Sequence, residues 1–178
     1  MDEKKNINKK WIWLIVLILL VIILLISSSM TYSQQSLVPD LDKLFPNQPF
    51  KDVLSKISFN YAGENISIAN YGYAKFIEFF IRKLAHFVTF GVLSLAIYKS
   101  LYAFLSKKRT RQNENNFYNK ILAISLVIII ILASLDEFHQ MLTGGRTPTI
   151  EDVILDSVGG LTFLLINRFI QYRKQQNK

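Results

Sequence analysis

The stretch that decides the fold is Ile128-Ile129-Ile130-Ile131-Leu132-Ala133-Ser134-Leu135-Asp136-Glu137-Phe138-His139-Gln140. Its first half is purely apolar, and the apolar character reaches back to Ile121. Crossing a bilayer takes about 20 residues at roughly 1.5 Å each, and Ile121 to about Leu142 supplies that length. The β-branched isoleucines would suit a buried strand, but a run this long reads as a membrane helix. Its second half then places Asp136, Glu137, His139 and Gln140 at the end of the span. Hydrocarbon makes such groups expensive, so a span that keeps them generally uses them.

Three further runs have the same character. Trp11 to about Met30 follows Lys4, Lys5, Lys9 and Lys10. Ser27-Ser28-Ser29 after this run admits a cleaved signal peptide. The length of the run, and Trp11 and Trp13 as interfacial anchors, favour an uncleaved span. A second run extends from about Phe79 to Leu105, interrupted by His86 and Lys99. The last extends from about Ile150 to Ile170, interrupted by Asp156 and Gly159-Gly160. The predicted architecture is an all-α integral membrane protein of four spans, at about 11–30, 79–105, 121–142 and 150–170. It forms one domain over 1–178.

Composition agrees. The chain has 178 residues, 51% of them hydrophobic, at a mean hydropathy of +0.25, which fits a membrane protein with a substantial extramembrane part. The net charge of +8 could suggest nucleic acid. Its basic residues flank apolar runs, however, so they read as a topology signal, and no nucleic-acid partner is expected. The absence of cysteine excludes disulfides, thiolate metal sites and cysteine nucleophiles.

Lysine and arginine orient the spans. The amino-terminal tail, the 106–120 connection (Lys107, Lys108, Arg109, Arg111, Lys120) and the carboxyl end (Arg168, Arg173, Lys174, Lys178) are basic. Four spans put all of these segments on one side, predicting cytoplasmic termini. The 31–75 segment is then extracytoplasmic. Gln48-Pro49 before Phe50, Val53, Leu54 and Ile57 predicts a short amphipathic helix with proline in its first turn. Alternation through Ile57, Phe59 and Tyr61, a turn at Ala62-Gly63-Glu64-Asn65, and resumed alternation at Ile66 and Ile68 predict a β-hairpin. Two strands alone are marginal, so the hairpin should lie on the bundle or the membrane surface.

This topology brings three polar clusters to one depth, near the outer interface. Arg82, Lys83 and His86 open the second span, Asp136, Glu137, His139 and Gln140 close the third, and Asp152 and Asp156 open the fourth. Arg146 lies in the short loop between the last two spans. Helical spacing lets Arg82 and His86, and Asp136 and Gln140, share faces. The predicted ligand-binding residues are Arg82, His86, Asp136, Glu137, Gln140, Arg146 and Asp156. Each has a structural alternative, because Asp136, Glu137 and Asp156 could simply pair with Arg82 or Arg146. Lys83 could snorkel to the interface. Asp152, three residues after Thr149, resembles a capping residue, and Gly159-Gly160 resembles a helix-packing point. His86, His139, Glu137 and Asp156 are suitable metal ligands, but no compact ligand motif is present, so neither a metal nor a cofactor is expected.

These residues resemble the VanZ-like family of bacterial membrane proteins. The resemblance rests on Arg82-Lys83-Leu84-Ala85-His86, Asp136-Glu137-Phe138-His139-Gln140, Gly145-Arg146, and Asp152-Val153 with Asp156, in that order. It covers roughly residues 11–170, and its details look like versions from Gram-positive bacilli. Many members carry an acidic residue and a tyrosine where this chain has Thr89 and Phe90. The resemblance implies a cell-envelope role and lowered susceptibility to teicoplanin-type glycopeptides, with no settled activity. Three readings follow. The first is a non-catalytic protein whose outer polar site binds an anionic or amphiphilic head group, lipid-linked or lipoglycopeptide. The second is an intramembrane enzyme acting on a lipid-linked wall precursor or isoprenoid phosphate, with His86 or Glu137 as base. The third is a small transporter or proton relay. No catalytic residue or oligomeric state is fixed by the sequence.

Overall fold

Long apolar runs must satisfy their backbone internally, and the chain does so with helices. The computed structural model describes residues 2–106, 113–144 and 149–176. Helix α1 spans Asp2–Ser29. Short helices α2 (Tyr32–Gln35), α3 (Val38–Leu44) and α4 (Lys51–Leu54) follow it. Strands β1 (Ser58–Tyr61) and β2 (Glu64–Ser67) precede α5 (Ile68–Tyr71). Three long helices complete the chain: α6 (Tyr73–Leu105), α7 (Glu114–Gly144) and α8 (Ile150–Gln176). Four helices are long and apolar enough to cross a membrane, with spans Trp11–Ser29, Tyr73–Leu105, Glu114–Leu142 and Ile150–Gln176.

The expected spans are present, but all four helices outrun them, α1 by starting at Asp2. Helix α6 starts at Tyr73 and α7 at Glu114, and α8 continues to Gln176. At 33 residues, α6 is about 50 Å long, against about 30 Å of hydrocarbon. Its first turns therefore project past the core and carry the extramembrane segment. Tyr73 and Phe76 are buried there with Ile66 and Ile68. The rings of Phe59 and Tyr61 meet Phe79 edge-on, with centroids 5.9 and 5.3 Å away. The hairpin thus leans on α6 through aromatic contacts, as expected of a sheet of two strands.

The hairpin register pairs Phe59 with Ile66 and Tyr61 with Glu64. Its turn places both Ala62 and Gly63 at positive φ (52° and 79°), as a two-residue I′ connection requires. Ile68 is not a strand residue: the Ser67 side chain caps the Asn70 amide, and α5 begins instead. The helix expected around Pro49 is only the single turn Lys51–Leu54. Phe50 is its N-cap with φ of 60°, so the proline lies before the helix rather than in its first turn. Pro39 of α3 holds that early helical position instead.

Helices α6 and α8 run parallel along a close seam, and the main buried cluster lies between α6, α7 and α1. Phe90, Leu93, Ile97, Ile129 and Ala133 are buried together with Leu24 of α1. The seam is closest at the glycines. A Cβ on Gly159 would collide with the backbone carbonyl of Phe87. One on Gly160 would stand 2.7 Å from Ile129 Cγ2, and one on Gly91 2.5 Å from the Phe163 ring. Ser94 Oγ donates to the Gly160 carbonyl at 3.0 Å, bonding the helices directly. The glycines are therefore packing points, as their spacing suggests.

At the end away from the hairpin, Arg168 donates to Asn115 and Asn119, and the Tyr98 hydroxyl donates to Gln171 at 2.9 Å. The outward surfaces of the long helices carry exposed Ile15, Ile22, Val127, Ile131, Leu165 and Phe169, as a lipid-facing surface should.

Gly159→Ala forces α8 off the Phe87 carbonyl and is expected to cost about 1–3 kcal/mol, the range for overpacking. Ala123→Val on the exposed face of α7 should stay within about 0.5 kcal/mol. Thermal unfolding in detergent reads both, and equal melting temperatures for the two variants would contradict the close seam.

Candidate functional site

The α6–α8 seam sets which polar side chains meet. From Gly159 toward the hairpin, each turn of α8 brings an acid against α6. Asp156 Oδ2 lies 3.3 Å from His86 Nδ1. One turn further on, Asp152 pairs with Lys83 and also accepts from the Tyr61 hydroxyl at 2.6 Å. Lys83 therefore does not snorkel outward. Its ammonium lies 4.7 Å from the Tyr61 ring centroid and 5.4 Å from that of Phe79. Asp152 does more than a helix cap does, tying α8 to α6 and to β1.

Helix α7 contributes three buried polar residues in one turn: Asp136, Glu137 and Gln140. Gln140 Nε2 donates to Asp136 Oδ2 at 2.7 Å. Asp136 faces inward, and its carboxylate, that of Asp156 and the His86 imidazole each offer an atom within 4.8 Å of the other two. Glu137 turns toward the extramembrane segment, with Oε2 buried and without a hydrogen-bond partner. His139 is not part of this cluster. Its Nδ1 lies 3.0 Å from Ser28 Oγ and joins α7 to α1.

Above these residues lies a cavity of about 460 Å³, lined among others by Arg82, Lys83, His86, Glu137, Gln140 and Asp152. The extramembrane segment forms its roof with three tyrosines: Tyr32 of α2, Tyr61 of β1 and Tyr71 of α5. Tyr32 is presented by a short helix that starts with a capping box, Thr31 to Gln34. Its hydroxyl donates to Glu78 Oε2 at 2.9 Å, while Glu78 Oε1 accepts the Leu37 amide at 2.8 Å. The buried Glu78 is therefore satisfied as an anchor for the roof. Burial and the Glu78 hydrogen bond raise the Tyr32 pKa. The Tyr71 hydroxyl is pushed up to about 12 by burial and by Glu64. Burial and the bond to Asp152 raise Tyr61 as well. All three phenols remain protonated donors around neutral pH.

Arg82, like Lys75, lines the cavity without a carboxylate partner among the described residues. The guanidinium sits 5.0 Å from the Tyr32 ring centroid, and Nη2 donates to Gln35 Oε1 at 3.4 Å. Nη1 is buried with no hydrogen-bond partner. Among the described residues no carboxylate pairs with Arg82, so the anticipated ion pairs to Asp136, Glu137 or Asp156 do not form. Arg146 and Gly145 lie outside the described residues.

The structure thus brings Arg82, His86, Glu137 and Gln140 to the cavity wall and places Asp136 and Asp156 beneath it. Sequence reading missed Glu78 and the three tyrosines. Glu78 had one signal, since it stands four residues before Arg82 on the same helix. The tyrosines had none, because their helices and strand lie far apart in the chain.

Comparison with known proteins bears on this arrangement. Residues 13–171 match the family model described as VanZ/LLP1. No curated protein and no solved structure matches the chain significantly.

A double-mutant cycle with Lys83→Met and Asp152→Asn should give a coupling of about 0.5–3 kcal/mol, as contacting pairs do. Lys83→Met with Ala123→Val, whose position is exposed on α7 at the other end of the bundle, should add within about 0.5 kcal/mol. Unfolding in detergent measures both cycles. A coupling no larger in the first than in the second would show that the cross-helix pair does not form.

Proposed function

The chain belongs to the VanZ/LLP1 family of membrane proteins, and we propose that its polar cavity binds the anionic head group of an amphiphile at the outer leaflet. One observation carries this reading: Arg82 is held at the cavity, over the Tyr32 ring, with no carboxylate partner among the described residues. A guanidinium presents paired donors that match phosphate or carboxylate, and an unneutralised one in a cleft is an anion site waiting for its ligand. Lys75 adds positive charge at the same cavity, while Lys83 is paired with Asp152. The volume of about 460 Å³ falls within the range of ligand pockets, about 300–1,000 Å³. Arg146, which lies between α7 and α8 in the sequence, is proposed as a second contact.

The outer location is supported by the distribution of charge. Lys120, Arg168, Arg173 and Lys174 cluster at the end away from the hairpin, and the amino-terminal lysines join them by sequence. Positively charged flanks stay in the cytoplasm, which leaves the cavity facing out, with both termini inside. Lipid-linked wall precursors and lipoglycopeptides present their head groups at that surface. A bacterial envelope protein that lowers teicoplanin susceptibility by occupying or shielding such head groups fits this placement.

A second reading draws on Glu137, whose Oε2 is buried without a partner beside the cavity. Such a carboxylate could serve as a general base on a bound lipid-linked substrate.

The test is binding of a long-chain isoprenyl phosphate, with its uncharged alcohol as control, to purified protein in nanodiscs. Arg82→Ala should remove a charge-assisted contact of about 1.5–3 kcal/mol, or roughly 10- to 150-fold in affinity. Arg82→Lys should recover only part of it, because the planar fork is lost. Equal affinity for phosphate and alcohol, or an unaffected Arg82→Ala, would contradict the proposal. Protection from teicoplanin in cells at matched abundance should follow the same order of variants.

A further inference from the structure

Beneath the cavity, two buried carboxylates face one another with too little positive charge. Asp136 and Asp156 are each more than nine-tenths buried, and with His86 they offer ligand atoms within 4.8 Å of one another. Among the described residues neither acid is paired with a lysine or arginine. Lys83 is committed to Asp152 one turn away, and Arg82 is held at Tyr32. A single imidazole cannot neutralise two carboxylates. Asp156 adds an independent sign: Oδ2 faces His86, while Oδ1 is buried with no hydrogen-bond partner. Buried carboxylate oxygens are costly to leave unsatisfied.

We infer that His86, Asp136 and Asp156 form a three-ligand site for a divalent first-row metal ion of the Zn²⁺ or Mn²⁺ class. One imidazole nitrogen and two carboxylates are a donor set such ions accept. In a tetrahedral site with bonds of about 2.0–2.2 Å, ligand atoms stand roughly 3.4 Å apart. Binding would therefore draw the three side chains inward by about an ångström, within reach of side-chain rotation. Gln140 Nε2 already orients Asp136 through Oδ2, the kind of outer contact that fixes a ligating carboxylate. His86 also lines the cavity, and its side chain is 31% exposed. An open coordination position would therefore point where a head group sits. No compact ligand motif marks the site because the three ligands come from α6, α7 and α8, one from each.

The site stands apart from the head-group proposal, since it does not use Arg82. The experiment loads detergent-purified, chelator-stripped protein with Zn²⁺ or Mn²⁺, removes free ion and counts bound metal by mass spectrometry. About one equivalent is expected for wild type, and Arg82→Ala should keep it even if it loses head-group affinity. Asp156→Asn and His86→Gln should lose nearly all of it, and Gln140→Ala should weaken binding about 10- to 100-fold. Unfolding curves in chelator check that each variant folds. Should they fail to fold, a His139→Gln background leaves His86 as the only histidine, since the chain has two. Co²⁺ bound there should give a paramagnetically shifted imidazole resonance. Wild type that retains no stoichiometric ion overturns the inference. So does full retention by Asp156→Asn and His86→Gln, or Co²⁺ binding without the shifted resonance.

Discussion

Gly159 lets α8 lie directly on the Phe87 carbonyl of α6, and the arrangement of the polar end follows from that contact. The two helices run parallel, so their residues stay in step turn by turn toward the hairpin. Phe87 meeting Gly159 puts His86 beside Asp156, and the next turn puts Lys83 beside Asp152. A side chain at Gly159 would separate the helices and lengthen both contacts together. Small residues are what allow such approach in a membrane, where apolar surface gains nothing by leaving lipid for protein. The polar pairs then add a direct attraction that hydrocarbon cannot supply.

The second constraint is that charges near a membrane interface must be met by neighbours or by water. The chain meets most of them with an extramembrane segment folded over the end of the bundle. Tyr61 reaches Asp152, Tyr32 reaches Glu78, and the Leu37 amide completes the Glu78 carboxylate. Aromatic contacts from Phe59 and Tyr61 to Phe79 hold that segment down. The hairpin is therefore part of the site rather than an appendage. Among the described residues, the buried polar atoms left without a hydrogen-bond partner at this end include Arg82 Nη1, Glu137 Oε2 and Asp156 Oδ1.

The four spans were legible because hydrophobic length is a bulk property that tolerates errors of several residues. The hairpin was legible because alternation survives in a strand of four residues. Helices α2 and α3 were not, since four to seven residues hold too little of a helical period to register. Ile68 continued the strand alternation by residue type, yet the Ser67 cap overrode it. The extra turns of α6 were hidden because Tyr73–Glu78 looks like neither a membrane run nor a regular amphipath. At the site, the convergence of three clusters could be read from topology alone. Which of two adjacent acids turned inward could not, because neighbours on a helix point about 100° apart and only the packed bundle fixes its rotation. Asp136 faces His86, Glu137 faces the cavity and His139 faces Ser28.

The central claim is that the polar cavity opens on the outer face of the membrane. The chain has no cysteine, so a single introduced thiol reports its own side without interference. Lys56→Cys marks the extramembrane segment, and Asn116→Cys marks the start of α7 at the opposite end; both positions are exposed. The account predicts that a membrane-impermeant maleimide applied to intact cells labels the thiol at 56. The thiol at 116 should label only after the membrane is opened. Labelling at 116 with protection at 56 would invert the topology and remove the basis for an outer head-group site.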